Sequence, residues 1–191
     1  MRKRFLLAGT LLVLLTSSAG VAPARQSSLQ RFYFDRYSML FPTSYTPQQL
    51  GPGDPGCYLI RTSPFAFVFV AMQRQGEDSV VPQGRAVLGL MLARLSMADQ
   101  VMNQSVTDIP PSELKPPTTM GKLFNATTSR GLELEARFYL AYVSGRKVLV
   151  GYATLTGQNV PQDLQGLLTT DPASVAAEFD QMAASIRLEQ Q

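Results

Sequence analysis

The segment "LELEARFYLAYV", residues 132–143, and its continuation "RKVLVGYATLTG", residues 146–157, decide the fold. Apolar side chains occupy every second position of the first segment, which is the period of a strand with one face on a core. These side chains are Leu132, Leu134, Ala136, Phe138, Leu140 and Tyr142. Ser144 and Gly145 between the segments are typical of a tight turn. The pair therefore predicts a long antiparallel hairpin.

The rest of the chain adds strands and two helices to this hairpin. We predict strands over residues 32–41 (broken near Asp35), 57–62, 65–73, 105–109 and 122–128, and a loop over 47–56. The run "FAFVFVAMQ" does not alternate, so we expect its strand to be covered on both faces. A helix is predicted over 83–102 with Pro82 in its first turn. Asp171 and Pro172 then cap a closing helix, whose apolar stripe is Val175, Phe179, Met182 and Ile186. This order predicts an α+β domain, a largely antiparallel sheet covered by helices.

The N-terminus has the three parts of a secretory signal. Arg2, Lys3 and Arg4 precede an apolar run, and Ala22 and Ala24 form an A-x-A cleavage pattern. The apolar run is shorter than the roughly 20 residues that span a bilayer. We therefore expect export to the periplasm or the medium, cleavage after Ala24, and a single domain over residues 25–191 without a stable membrane anchor.

Removal of the leader changes the charge of the chain. The full sequence has 17 Lys+Arg and 14 Asp+Glu, and three of the basic residues lie in the leader, which leaves 14 of each sign. A neutral domain lacks the basic surface that nucleic acid or an anionic membrane requires, so we predict neither as a partner. The lone cysteine, Cys57, forms no internal disulfide and is expected to be buried.

Several kinds of chemistry lack their residues. The chain has no histidine and one cysteine, which excludes histidine-based nucleophilic sites and Cys-rich or His-based zinc sites. Gly51, Gly53 and Gly56 match G-x-G-x-x-G, but the intervening prolines remove the N–H groups that a phosphate needs. We predict no cofactor and no catalytic or metal-binding residue.

Two weak patterns keep a histidine-free hydrolase open as an alternative. Ser112 with Lys115, and Ser144 with Lys147, match S-x-x-K, although neither serine lies at the start of a predicted helix. Glu133 and Glu135 share one side of a strand with Arg137, and a carboxylate pair suits acid–base chemistry. A salt-bridged outer row is the more ordinary interpretation.

The predicted helix over 83–102 is apolar on more than one face. Leu90, Met97 and Val101 form a second stripe, away from the centre of the first. Either another part of the chain covers this stripe, or it contacts a protein partner or a second copy. Tyr45 and Pro47, beside the Gly/Pro-rich loop, pose a similar choice between the rim of a groove and a packed corner of the scaffold; we favour the corner.

The order of elements resembles a known superfamily. A strand that ends in Phe-Pro and an aromatic turn ("SMLFPTSY", 38–45), the long hairpin, and a closing helix that ends in "SIRLE" (185–189) are similar to Mog1/PsbP-like proteins. Members are α/β/α sandwiches and include lumenal photosystem proteins, a partner of the Ran GTPase and exported bacterial proteins of unknown role. The resemblance covers about residues 32–188, although the turn aromatic, often Trp in that superfamily, is Tyr45 here.

The resemblance implies a function in binding, and no functional residue carries over by motif. We therefore expect an exported, non-catalytic binding or assembly module that acts through protein–protein contacts. A hydrolase and a carrier of a small apolar ligand are the alternatives.

Overall fold

The computed structural model describes residues 28–34, 36–50, 56–72, 80–97, 100–115 and 118–189. The predicted leader and the G-x-G-x-x-G loop lie almost wholly outside these residues. The strands are β1 (Leu29–Phe34), β2 (Tyr37–Pro42), β3 (Thr46–Gln49), β4 (Gly56–Thr62), β5 (Phe65–Met72), β6 (Val101–Asp108), β7 (Thr118–Thr128), β8 (Glu133–Val143), β9 (Arg146–Thr156) and β10 (Arg187–Leu188). The helices are α1 (Val80–Arg94) and α2 (Pro172–Ala184).

The strands form two antiparallel sheets. The larger sheet has seven strands in the order β3-β4-β5-β9-β8-β7-β6, and the smaller has three in the order β1-β2-β10. One hydrophobic core lies between the larger sheet, α2 and the β1–β2 hairpin. A second core lies on the opposite face, beneath α1 and the segment around Leu164. The predicted α+β class, a largely antiparallel sheet covered by helices, is confirmed.

The central hairpin follows the predicted pattern. β8 and β9 pair from Glu133 opposite Thr156 to Val143 opposite Arg146. Ser144 and Gly145 have φ values of 50° and 77°, as a type I′ turn requires. Tyr142, beside this turn, is the exception in the predicted apolar row, because it is exposed.

The predicted elements around the hairpin are also present. β5 is buried on both faces, since its alternate residues enter the two different cores. The Asp171 carboxylate accepts a hydrogen bond from the Ser174 N–H at 3.0 Å and caps α2, whose Val175, Phe179 and Met182 are buried.

The predicted helix over 83–102 has different bounds. α1 begins at Val80 and ends at Arg94, and Val101 and Met102 belong to β6. The Met97 N–H donates to the Leu92 carbonyl, and the Ser96 N–H to that of Ala93, which is a Schellman ending. Ser96 takes the left-handed conformation that glycine usually supplies, with φ of 54°. The sequence therefore gives no glycine signal where the helix stops.

Other bounds also differ from the prediction, since the strand predicted over 105–109 covers 101–108 and the one predicted over 122–128 starts at Thr118. The strand over residues 32–41 is a hairpin, β1 and β2. The loop over 47–56 is shorter than predicted, because β3 includes Pro47 and β4 starts at Gly56. Among the described residues, neither helix is long and apolar enough to cross a membrane.

Candidate functional site

The strand β6 is an open edge of the seven-stranded sheet. It is eight residues long and mostly exposed, and among the strands of the described residues it pairs with β7 alone. Its sequence, "VMNQSVTD", has no proline and no charge before Asp108. Edge strands are usually protected by charge, by proline or by brevity, because their free backbone groups pair with other chains. β6 has an irregularity of register between Val101 and Asn103, and none of these protections from Asn103 to Thr107.

The hydrogen-bond pattern shows which backbone groups of β6 are free. We call a position outward-facing when its N–H and C=O point away from the sheet. The Ile109 N–H donates to the Gly121 carbonyl at 3.0 Å, and bonded positions alternate with outward-facing ones in an antiparallel pair. Along the register of β6 with β7, Ser105 and Thr107 are therefore bonded positions. The outward-facing positions between them and beside them are those of Gln104, Val106 and Asp108.

A groove of about 200 Å³ runs beside this edge, between β6 and α1. Most of its lining is apolar, and its polar side chains are Arg85, Gln104, Ser105 and Asn125. The apolar side chains are Leu88 and Leu92 of α1, Val101 of β6, Phe124 and Ala126 of β7, and Leu134 of β8. Arg85 is the charged side chain in this lining, and it has no carboxylate partner within the described residues.

The groove exists because α1 lies over β7 and β8 and leaves β6 uncovered. Gly84 brings the helix close to the sheet, since a Cβ there would lie 2.8 Å from the ring of Phe124. Such a distance is closer than side-chain carbons approach one another, so a larger residue would lift α1. The close approach fixes the helix over the inner strands, with the edge strand outside it.

The three residues of the predicted partner surface do not form one helical stripe. Leu90 is half-buried on α1, Met97 is 2% exposed, and Val101 lies in β6. Val101 lines the groove, whereas Met97 is part of the core beneath α1. Their role in partner contact stays a prediction, and Val101 is the member that the structure places beside the open edge.

At the other end of the sheet, β3 carries Pro47 and directly follows Tyr45. Tyr45 is 2% exposed, and its hydroxyl donates to the Glu178 carboxylate of α2 at 2.8 Å. Arg61 lies 5.0 Å from the centre of the Tyr45 ring and contacts the same carboxylate at 3.2 Å. Burial, and then the hydrogen bond to Glu178, raise the pKa of Tyr45 well above its ordinary range. The residue is built into the corner, and Pro47 follows it in the edge strand.

A second concave site of about 320 Å³ lies on the α2 face of the sheet. Its aromatic wall consists of Phe179 with Tyr139 and Tyr152, whose ring centres lie 5.8 and 4.9 Å from that of Phe179. Burial is the main cause that raises the pKa of both tyrosines. The wall is therefore uncharged at ordinary pH.

The cations of this second site are already paired. Arg137 contacts Glu135 at 2.9 Å and Glu113 at 3.2 Å, and Lys115 pairs with Asp180. Burial opposes the charge of Arg137, but the hydrogen bond to Glu135 helps to raise its pKa overall. An incoming ion has to displace one of these carboxylates. The site on the α2 face is thus charge-matched, unlike the groove beside β6.

The remaining sequence patterns are placed as follows. Ser112 lies in an exposed 3-10 turn. Lys115 pairs with Asp180, and this hydrogen bond raises the pKa of Lys115. A serine–lysine mechanism instead needs a neutral lysine. Ser144 lies in the tip of the central hairpin. Cys57 is buried, and burial raises the pKa of its thiol to about 12. The described residues contain no group of three or more ligand side chains suited to a metal ion.

Sequence reasoning predicted a strand over 105–109 but missed the first half of β6 and its position at the edge of the sheet, because it assigned Val101 and Met102 to a helix. A usable signal was the run "MNQSVT", which has poor helix formers and β-branched residues beside one another. It also missed the aromatic wall on the α2 face, since Tyr139 and Tyr152 meet Phe179 only through the tertiary fold.

Comparisons with known proteins found matches among solved structures. No protein-family model matches the sequence, and neither does any curated protein. A mutant of protein Mog1 matches at 8% identity and a TM-score of 0.47, over 86% of this chain and 97% of that one. The Saccharomyces cerevisiae Ran-binding protein Mog1p matches at 8% and 0.45, over 84% and 96%. Cyanobacterial PsbP (CyanoP) from Synechocystis matches at 14% and 0.39, over 91% and 98%. Solved structures of Mog1 and of PsbP are thus among those to which this chain is similar.

Proposed function

We propose that this chain is an exported binding or assembly module that acts by contact with another protein at the open edge of β6, without catalysis. The observation that carries the proposal is the edge itself. Gln104 and Val106 direct unpaired backbone groups away from the sheet, beside an apolar groove. An extended chain that pairs with such an edge gains main-chain hydrogen bonds, and its side chains gain specificity from the groove.

Export belongs to the same proposal and rests on the basic, apolar and small-residue parts of the N-terminus. Sequencing of the protein recovered from outside the cytoplasm would then begin at Arg25. Retention of residues 1–24 would contradict cleavage without bearing on the role of the edge.

Proline at position 104 tests the role of the edge. Gln104→Pro removes an outward-facing N–H and leaves the bonds between β6 and β7 in place, which an edge strand tolerates. Gln104→Ala is the matched control, because it shortens the same side chain and keeps the N–H. Each variant would be expressed at its native level, and its sedimentation in the exported fraction would be compared with that of the unaltered protein.

We expect the unaltered protein and Gln104→Ala to sediment as a complex, and Gln104→Pro to sediment as free protein. A folded Gln104→Pro variant that stays in the complex would overturn the proposal, as would an unaltered protein that sediments alone. Thermal unfolding of the purified variants shows whether each one is folded.

A further inference from the structure

We infer that the β6 edge receives an extended segment of a partner protein, with apolar residues at alternate positions and an acidic side chain beside Arg85. This inference rests on the proposed function and specifies its partner. It follows from three properties of the edge and the groove: the direction of the backbone groups, the lining, and the charge.

The direction of the backbone groups requires an extended segment. The N–H and C=O of Gln104 and Val106 point outward at the same spacing as those of any antiparallel edge. Only a strand presents complementary groups at that spacing. A helix docked in the same place would leave these β6 groups without partners from the protein.

The lining requires apolar residues at alternate positions. Gln104 and Val106 lie opposite Ala126 and Phe124, so their side chains are on the α1 face of the sheet. Side chains of an added strand that share this face extend toward Leu88 and Leu92 across the groove. The intervening side chains lie on the opposite face, next to Ser105 and Thr107, which are exposed and polar.

The charge of this region favours an acidic segment. α1 carries two charged residues, Arg85 and Arg94, and no acidic one. Arg85 lines the groove and is not paired with a carboxylate in the described part of the chain. The one acid of β6, Asp108, lies at the end of the strand and contacts Lys122 at 2.5 Å. A carboxylate on the added strand is therefore the group that the groove lacks.

A second copy of the chain fits this charge pattern less well. Antiparallel pairing of two β6 strands has to set outward-facing positions opposite one another, so pairing about Ser105 places Gln104 of one copy opposite Val106 of the other. These are uncharged residues, so Arg85 of each copy stays without a carboxylate. Asp108 of the second copy then falls opposite Met102, at the far end of the strand.

Two peptides test the inference. Both alternate valine with threonine, and they differ only in glutamate or lysine at the central valine position. Amide chemical shifts of the 25–191 protein would be followed during titration with each peptide, for the unaltered chain and for Arg85→Glu. Arg85 is exposed and makes no ion pair among the described residues, so its replacement is expected to leave the fold intact.

We expect shift changes along residues 101–108 and about fivefold tighter binding of the glutamate peptide, the size of an exposed ion pair. Arg85→Glu is expected to reverse the preference. Equal binding of both peptides, or shift changes elsewhere, would overturn the inference. So would a dimer of the unaltered protein that Gln104→Pro dissociates, since that outcome makes the second copy the occupant.

The two proposals fail in different ways. If the native complex depends on position 104 but the peptides show no charge preference, the edge is the binding site and the acidic segment is wrong. If Gln104→Pro keeps the native complex, the edge is not the site of contact, whatever the peptides show.

Discussion

The seven-stranded sheet ends in β3 on one side and in β6 on the other, and the two edges are built differently. β3 has four residues and β6 has eight. The Leu50 N–H donates to the Gly56 carbonyl at 3.1 Å, which makes Pro47 an outward-facing position of β3. Proline has no N–H to offer there. The corresponding positions of β6 carry Gln104 and Val106, which keep theirs.

The anchoring of the two edges differs as well. β3 follows the buried ring of Tyr45, which is bound to Glu178 of α2. β6 starts after the Schellman ending of α1. Just before it, the Gln100 carbonyl accepts a hydrogen bond at 2.8 Å from the Ser129 N–H, which lies in the turn after β7. The short, proline-bearing and anchored edge is closed to pairing, and the long, neutral edge is open. We infer from this difference that one edge ends the sheet and the other extends it through a partner.

The smaller sheet has an edge of its own in β1, and it is protected in a third way. Arg31 lies near the middle of β1, where its guanidinium donates to the Ser38 hydroxyl at 2.7 Å and lies 3.6 Å from Glu189. A charged residue in an edge strand disfavours pairing with another chain. β6 therefore differs from both β3 and β1.

The largest expected effect is at the anchor of the closed edge. Tyr45→Ala removes a buried aromatic ring, and we expect it to lower the free energy of unfolding by about 3–5 kcal/mol in a urea titration. Tyr45→Phe is the matched control, because it keeps the ring and loses one hydrogen bond. We expect it to lower the free energy of unfolding by about 1 kcal/mol. Equal losses in the two variants would mean that the ring does not anchor the edge.

Proline substitutions along β6 sharpen the comparison next. Ser105→Pro removes a hydrogen bond to β7 and leaves the Asn125 carbonyl without its donor. We expect the free energy of unfolding to fall by about 1–3 kcal/mol. Gln104→Pro removes only an outward-facing N–H and is expected to cost less than about 1 kcal/mol. Thermal and urea unfolding of both variants compare them directly. The reverse order would show that the outward-facing positions are assigned to the wrong residues.

Replacement of Pro47 tests the comparison at β3, the closed edge. Pro47→Thr gives β3 an outward-facing N–H. It also gives the unfolded chain more conformational freedom, so we expect the free energy of unfolding to fall by about 0.4–1 kcal/mol. Hydrogen exchange is the sharper measurement. We expect the new amide at position 47 to exchange rapidly, like those of Gln104 and Val106, while the Ser105 and Thr107 amides exchange slowly. A protected amide at position 47 would contradict the geometry of the β3 edge.

Much of the scaffold around these edges could be predicted from local patterns. The alternation of residues 132–143, the type I′ turn at Ser144 and Gly145, and the cap at Asp171 each depend on neighbours in the sequence. Such features are set by short-range sterics and by which face is buried, so a single sequence contains them.

The edges could not be predicted, because their properties depend on distant residues. Tyr45 is anchored by Glu178, which lies 133 positions later in the chain. The outward-facing character of Gln104 depends on the register with β7, and the end of α1 depends on a serine in a conformation that favours glycine. Local propensity carries no information on pairing register or on tertiary partners.

The smallest expected effect concerns the weaker anchor of the open edge. The turn that holds the start of β6 continues into Arg130, whose guanidinium lies 2.6 Å from the Asp163 carboxylate. The hydrogen bond from Arg130 lowers the pKa of Asp163. A carboxyl whose pKa is lower in the folded state stabilises the fold above its unfolded pKa, and this stabilisation is lost as pH falls through the folded pKa.

Asp163→Asn should therefore lower the midpoint of thermal unfolding slightly at neutral pH and not at all in strong acid. Added salt should shrink the difference at neutral pH, because Asp163 is exposed to solvent and Arg130 is partly exposed. A difference that persists in acid would mean that the carboxylate acts through packing, and that the start of β6 is held more firmly than a surface ion pair allows.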